Sequence, residues 1–363
     1  MMSLKLILSI ALLVAAIGLC RAQDVDKLLL KNYRPRSIYN IPVSRVPKAR
    51  YPTIDVHSHA YAKTDQQLAQ WVKTMDETGI EKSIILSYAT GAAFDSIYAF
   101  YKKYPNRFEV WCGFDYTGKD GLGWSEKAVK ELERCYRAGA RGVGELGDKG
   151  LGEFYSKPTP GYGLHIDDAR MKPLLQKCAE LKMPISIHVA EPYWMYEPMD
   201  STNDGLMNAA KWRIDKTKAG LLGHADLIKT LENAVRDNPK TIFIACHFAN
   251  CEHNLMILGS LLDKYPNLYA DIAARYGETA PIPRFMAGFY KKYQDRLLYG
   301  TDMGMSADMY ATTFRILETL DEHFYEHDRF SYHWPLNGFG LDDKILKKVY
   351  RQNALKILNL FSR

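Results

Sequence analysis

After Tyr51 the chain alternates eight times between a short β-branched run and a stretch with helical spacing, a rhythm that few folds accept. The candidate strands end near His59, Ala89, Tyr116, Gly147, Glu191, Phe248, Ala274 and Asp302. Between the first two, Leu68, Trp71, Val72 and Met75 follow the i, i+3, i+4, i+7 spacing of a helix with one buried face, and Leu255, Leu258 and Leu262 repeat it after the sixth. Such alternation predicts the α/β class with a parallel sheet and crossover helices, and eight units in about 270 residues suit a (β/α)8 TIM barrel. A doubly wound open sheet is the competing fold. It should place a glycine-rich phosphate turn after the first strand, where this chain has His57, Ser58 and His59. A last helix begun by Asp342, with Leu346, Val349, Tyr350 and Ile357 facing inward, is expected to close the fold.

The regions before Tyr51 differ in kind. Residues 1–22 carry Lys5, an apolar stretch from Leu6 to Leu19 and small residues near Ala22, the pattern of a cleaved secretory signal. Lipidation at Cys20 is the alternative, but Leu19 is bulky where a small residue is wanted. Residues 23–50 form a basic strap interrupted by Pro35, Pro42 and Pro47, and residues 51–363 form the barrel domain. The strap holds the excess of positive charge and leaves the body near neutral, which argues against a nucleic-acid groove. A solvated strap lying on the barrel is preferred to a polyanion-binding tail. No later segment is apolar for long enough to span a bilayer, so the mature protein is expected to be secreted or periplasmic without stable membrane insertion. Five cysteines remain after residue 22, an odd number set among apolar neighbours, and they read as buried hydrophobes and not as a disulfide framework.

Several strand candidates finish in a metal-ligating side chain. His57 and His59 leave a strand on the same face. Later runs end at Glu145, His188, His247 and Asp302. Singly, His188 or His247 could be a structural histidine and Asp302 a helix cap. In a barrel, five strand ends converge on one mouth, and together they point to a divalent metal site. Imidazole nitrogen and carboxylate oxygen suit zinc first, with manganese, iron or nickel also compatible. Two long connections, 148–164 and 192–223, read as walls of a substrate pocket, and the second offers Trp194 and Tyr196 as substrate-binding rings. Arg275 is a candidate clamp for a substrate carboxylate, or else an ion-pair partner of Asp271 or Glu278.

With these residues in view, the chain resembles the amidohydrolase superfamily, more closely the amidohydrolase-related branch that also contains non-oxidative decarboxylases and hydratases. The resemblance runs from Tyr51 to about Leu360 and includes the segments 271–275 and 299–302. It implies that His57, His59 and His188 are metal ligands, that His247 is the sixth-strand histidine and that Asp302 is the acid-base residue. At strand four the chain departs from the dinuclear members, which carry a carbamylated lysine where Glu145 stands. The segment 144–147 is similar to metal nucleases of the TatD type, in which a glutamate is a ligand here. One ion with Glu145 outside its ligands is favoured over two ions bridged by Glu145.

The leading expectation is a hydrolase that attacks a small-molecule amide, ester or lactone with metal-activated water, Asp302 moving the proton and His247 steadying the oxyanion or serving as a ligand. The alternative is a lyase in which Asp302 protonates the carbon that loses carbon dioxide. A nuclease and a binding protein with a closed structural zinc are weaker readings. The expected partner is a small molecule; a homo-oligomer is compatible with the sequence and not required by it.

Overall fold

The computed structural model describes residues 25–358, so the signal segment 1–22 and the last five residues of the barrel domain lie outside the described residues. The chain up to Pro35 and the chain from Arg36 form separate compact units. In the first, the described residues make two short 3-10 turns, Val25–Lys27 and Leu30–Asn32. In the second, residues 36–50 run extended. They are tied down by Ser44, whose amide and hydroxyl both donate to Asp321, and by the Arg50 amide, which donates to Glu318.

Eight parallel strands follow: β1 (Thr53–Ser58), β2 (Ile80–Leu86), β3 (Phe108–Trp111), β4 (Val143–Asp148), β5 (Ile185–Val189), β6 (Phe243–Ala245), β7 (Leu268–Asp271) and β8 (Leu297–Leu298). Regular ladders join β1 to β3 and β4 to β8 in chain order. Two seams complete the circle. The Gly144 amide donates to the Cys112 carbonyl at 2.8 Å, and the Val56 amide donates to the Tyr299 carbonyl at 3.0 Å. The result is the expected (β/α)8 barrel. Every residue of β1 and of β3 to β8 is buried, as required of a sheet covered on both faces.

Local chemistry sets the helix limits. Thr64 caps the helix Asp65–Thr78 through its hydroxyl, and Gly79 ends it at φ +83°, a conformation that costs glycine little. Leu68, Trp71 and Met75 are buried as the spacing requires, and the Trp71 indole donates to the Tyr310 hydroxyl at 3.2 Å. Asp342 caps the C-terminal helix by accepting from the Ile345 amide. That helix widens into a π turn over Lys348–Gln352, which lets the Val349 carbonyl accept the Tyr299 amide at 2.9 Å. All five cysteines from Cys112 onward are buried thiols. Among the described residues no helix is long and apolar enough to cross a membrane.

At the C-terminal ends of the strands the backbone turns sharply. Tyr88, Ala190, Ala274 and Asp302 all have positive φ, as do the four consecutive residues His247, Phe248, Ala249 and Asn250. Non-glycine residues hold this conformation only where their surroundings fix it. Here the Asn250 amide side chain donates to the carbonyls of Val189 and Ala190, and the His247 backbone amide donates to Asp271.

Candidate metal centre

The strand ends bring His57, His59, Glu145, His188, His247 and Asp302 together at one mouth of the barrel. Their ligating atoms fall into overlapping groups of three within 4.8 Å of one another. Glu145 stands in the middle. Its Oε1 lies 3.0 Å from His188 Nδ1, 3.4 Å from His247 Nε2 and 3.7 Å from His57 Nε2, while its Oε2 lies 3.5 Å from His59 Nε2. Asp302 faces the same space, with Oδ1 3.1 Å from His59 Nε2 and Oδ2 3.8 Å from His247 Nε2, and it accepts from the Tyr61 hydroxyl.

Three of the rings have their tautomer fixed from behind. The Nδ1 atoms of His59 and His247 meet the carbonyls of Leu86 and Ala273, each at 2.9 Å, and a carbonyl only accepts. Both rings therefore carry hydrogen on Nδ1 and turn Nε2 inward. His57 does the same against the buried Asp271 carboxylate, at 2.9 Å. Among the described residues the buried Nε2 atoms of His57 and His188 have no hydrogen-bond partner, the latter with Glu191 3.5 Å away. Two orphaned nitrogens beside two carboxylates make a donor set that fits a divalent cation.

The electrostatics agree. Burial opposes a charge on His57, yet Asp271, with Asp302 and Glu145 behind it, raises the ring well above the ordinary histidine range. Burial likewise pushes Glu145 and Asp302 up, but His57 and the other imidazoles hold both below the usual carboxylate range. The mouth is thus a field of ionised carboxylates, the field a cation would meet.

Beside the cluster a cavity of about 400 Å³ reaches His188, His247 and Asp302. Met195, Trp212, Phe330 and Tyr332 supply its apolar walls, and Lys149, Lys211, Arg275 and Arg329 its positive charge. A larger cavity, about 680 Å³, opens at the far end of the strands beside Lys82 and Arg141 and holds none of these ligands.

Of the two rings expected at the substrate, neither Trp194 nor Tyr196 lines this cavity. Trp194 lies over Gly205, where a Cβ would come within 2.4 Å of its ring, and meets Tyr332 and Trp334 edge-on. Tyr196 packs under the loop with Ala190 and Leu227. The tight turn Tyr193–Met195 instead turns Met195 inward. Arg275 does line the cavity, but its donors are engaged by Asn250, the Ala274 carbonyl and Glu278. Asp302 caps no helix, because Ser306 caps the next one.

Sequence reasoning passed over Asp271 as a support, although its strand also finishes in a carboxylate. It also passed over Lys149, Glu191, Lys211 and Arg329. Glu191 pairs with Lys149 and lies 3.5 Å from His188 Nε2. Its place just after β5 was the available signal; Lys211, in the short helix Leu206–Trp212, and Arg329 gave none, since their segments meet only in three dimensions.

The connection after β4 is anchored by Asp148, which accepts from the amides of Gly150 and Gly152 and holds His165 Nδ1 at 2.6 Å. That hydrogen bond raises the His165 pKa against a smaller opposing effect of burial. The folded value lies above the unfolded one. The pair's stabilisation is therefore complete below about pH 6.5 and is lost as pH climbs through the folded value. The stability gap between wild type and His165→Ala, read by urea unfolding, should be widest in acid and close toward alkaline pH. A gap that stays level overturns this assignment.

A family model described as amidohydrolase matches residues 54–360. No curated protein sequence matches the chain. Among solved structures, 2,6-dihydroxybenzoate decarboxylase from Rhizobium is similar at 16% identity and TM-score 0.52, covering 86% of this chain and 100% of its own. The 5-carboxyvanillate decarboxylase of Novosphingobium aromaticivorans, complexed with manganese and 4-hydroxy-3-methoxy-5-nitrobenzoic acid, is similar at 14% identity and TM-score 0.53, covering 88% and 100%. An uncharacterized TIM-barrel protein of Bordetella bronchiseptica gives 15% and 0.50, with 86% and 99% covered. At these identities the likeness is one of fold, and the fold is the barrel described above.

Proposed function

The chain belongs to the amidohydrolase family, and on that premise we propose a metal-dependent lyase that removes carbon dioxide, without oxidation, from a small carboxylated aromatic substrate. This reverses the order in which the sequence ranked hydrolysis and decarboxylation. The observation that carries it is the charge of the cavity beside Asp302. Among the described residues Lys211 donates to the Ser331 hydroxyl alone, and Arg329 has the exposed Asp308 carboxylate 3.6 Å away. Two cations without a tight anionic partner, set among Trp212, Phe330 and Tyr332, suit an aromatic anion. Two of the proteins of similar fold are decarboxylases of aromatic acids.

A divalent cation held by His57, His59, Glu145, His188, His247 and Asp302 would supply a Lewis acid that orients the substrate's oxygens, and both zinc and manganese suit these donors. Lys211 and Arg329 draw the substrate in. Its negative charge raises the proton affinity of Asp302, because like charges disfavour the ionised carboxylate. Asp302 then holds a proton and passes it to the ring carbon as the bond to the carboxyl group breaks. The electron pair of that bond becomes the new C–H bond, and carbon dioxide leaves. With its hydrogen on Nδ1, neutral His247 offers a lone pair at Nε2 and no donor. It therefore serves as a ligand, and the oxyanion role considered above falls away.

The test is product analysis of the metal-loaded protein with a panel of aromatic carboxylates in deuterated water enriched in oxygen-18. Carbon dioxide release, with deuterium at the vacated carbon and no heavy oxygen in the product, is expected. Heavy oxygen in the product without carbon dioxide release identifies a hydrolase and ends this reading.

A further inference from the structure

The cluster is open on a second side. Across Glu145 and His59 from the cation-lined cavity lies another of about 350 Å³, walled by Tyr88, Tyr155, Ser156 and Lys157. We propose that this second opening is a subsite for an aryl group, carried by the substrate beyond the ring that bears its reacting carboxylate. The proposal rests on the reading of the substrate as a carboxylated arene and specifies its size and shape.

The walls are aromatic and rigid. The Tyr88 ring lies 6.1 Å from the His59 ring and 6.2 Å from the Tyr155 ring, inclined at 62° and 58°, so a fourth ring can complete the cluster edge-to-face. The Lys157 ammonium sits 4.6 Å from the centre of the Tyr88 ring, holding a positive charge at the rim. The Tyr155 ring lies on Gly147, two residues after Glu145, where a Cβ would come within 2.0 Å of the ring. Any larger residue there would displace the ring. The two loops that carry these side chains are stitched together: the Lys157 amide donates to the Tyr88 carbonyl at 3.0 Å, and both the amide and the hydroxyl of Thr90 donate to the Lys157 carbonyl. Ser156 anchors the same loop by donating to the Phe114 carbonyl at 2.7 Å.

The chemistry of the two openings differs. One presents Lys211 and Arg329, the other tyrosine rings with a single lysine at the edge. A single-ring acid fills the first and leaves the second to water, whereas a two-ring acid covers both and buries more apolar surface.

Calorimetric titration of the metal-loaded protein with salicylate and with 5-phenylsalicylate tests this. The two-ring probe is expected to bind about tenfold tighter to wild type, within reach of one ring cluster plus its buried area. In Tyr155→Ala the ratio between the probes should fall to about one. Tyr88→Leu, which keeps bulk and removes the aromatic face, gives an independent reading should the alanine variant fail to fold. Equal binding by wild type, or a tenfold ratio that survives the substitutions, overturns the subsite while leaving the carboxylate reading intact. Binding of neither probe removes both.

Discussion

Asp302→Asn is expected to lower kcat roughly a thousandfold, the middle of the range for losing a positioned acid or base, while the protein keeps its metal. The substitution suits the backbone as well as the chemistry. Asp302 has φ +52°, a conformation that asparagine tolerates better than most residues, and its amide is pinned by the His57 carbonyl at 2.9 Å. Asparagine also keeps an oxygen for the Tyr61 hydroxyl, which donates to Asp302 Oδ1. What disappears is the exchangeable carboxyl proton. Steady-state rates, paired with elemental analysis of the same sample, separate the two effects. Turnover at the wild-type rate would exclude Asp302 as the proton donor.

Asp271→Ala is the second large effect, and it acts without touching the reacting atoms. The Asp271 carboxylate is fully buried and accepts from His57 Nδ1 at 2.9 Å, from the His247 amide at 2.9 Å and from the Ala273 amide at 3.0 Å. Burial alone would raise its pKa, but His57 leads the neighbours that hold it below the ordinary range. Removing it frees one ligand ring to turn and leaves two amides unpaired, His247 in the strained turn after β6 and Ala273 just past β7. Loss of such a partner behind a metal-ligating histidine typically weakens metal binding by about 10–100-fold. Breaking a buried charged hydrogen-bond network costs about 3–5 kcal/mol. Metal titration and denaturant unfolding of the same variant measure both, and unchanged metal affinity would show that Asp271 supports only the fold.

What the sequence makes legible, and what it hides, follows from range. Strand ends and helix faces are written in neighbouring residues, so Leu68, Trp71 and Met75 are found where their spacing puts them. The ligands are readable for the same reason, since each closes a strand-like run, and the barrel then brings them together. Which ring of a loop points inward is decided elsewhere. Trp194 is drawn away by the open face of Gly205 and by Tyr332, more than a hundred positions along the chain. Arg275 reads as a free clamp until Asn250, on the neighbouring strand end, occupies it. Lys211 sits in a short helix and Arg329 in a turn far along the chain, and only the fold places them beside the same cavity.

β8 has two residues in its ladder, and the next amide, that of Tyr299, is paired with the π turn at Val349. Asn353 holds the same strand by donating to the Leu297 carbonyl. Asp302 follows three residues after Tyr299, so its position depends on a helical turn that lies about fifty residues further along the chain. A nascent chain that has emerged only as far as residue 340 carries every imidazole of the cluster and lacks the clamp that seats its acid. The acid of the cluster is thus seated only once the helix that begins at Asp343 has folded back onto β8.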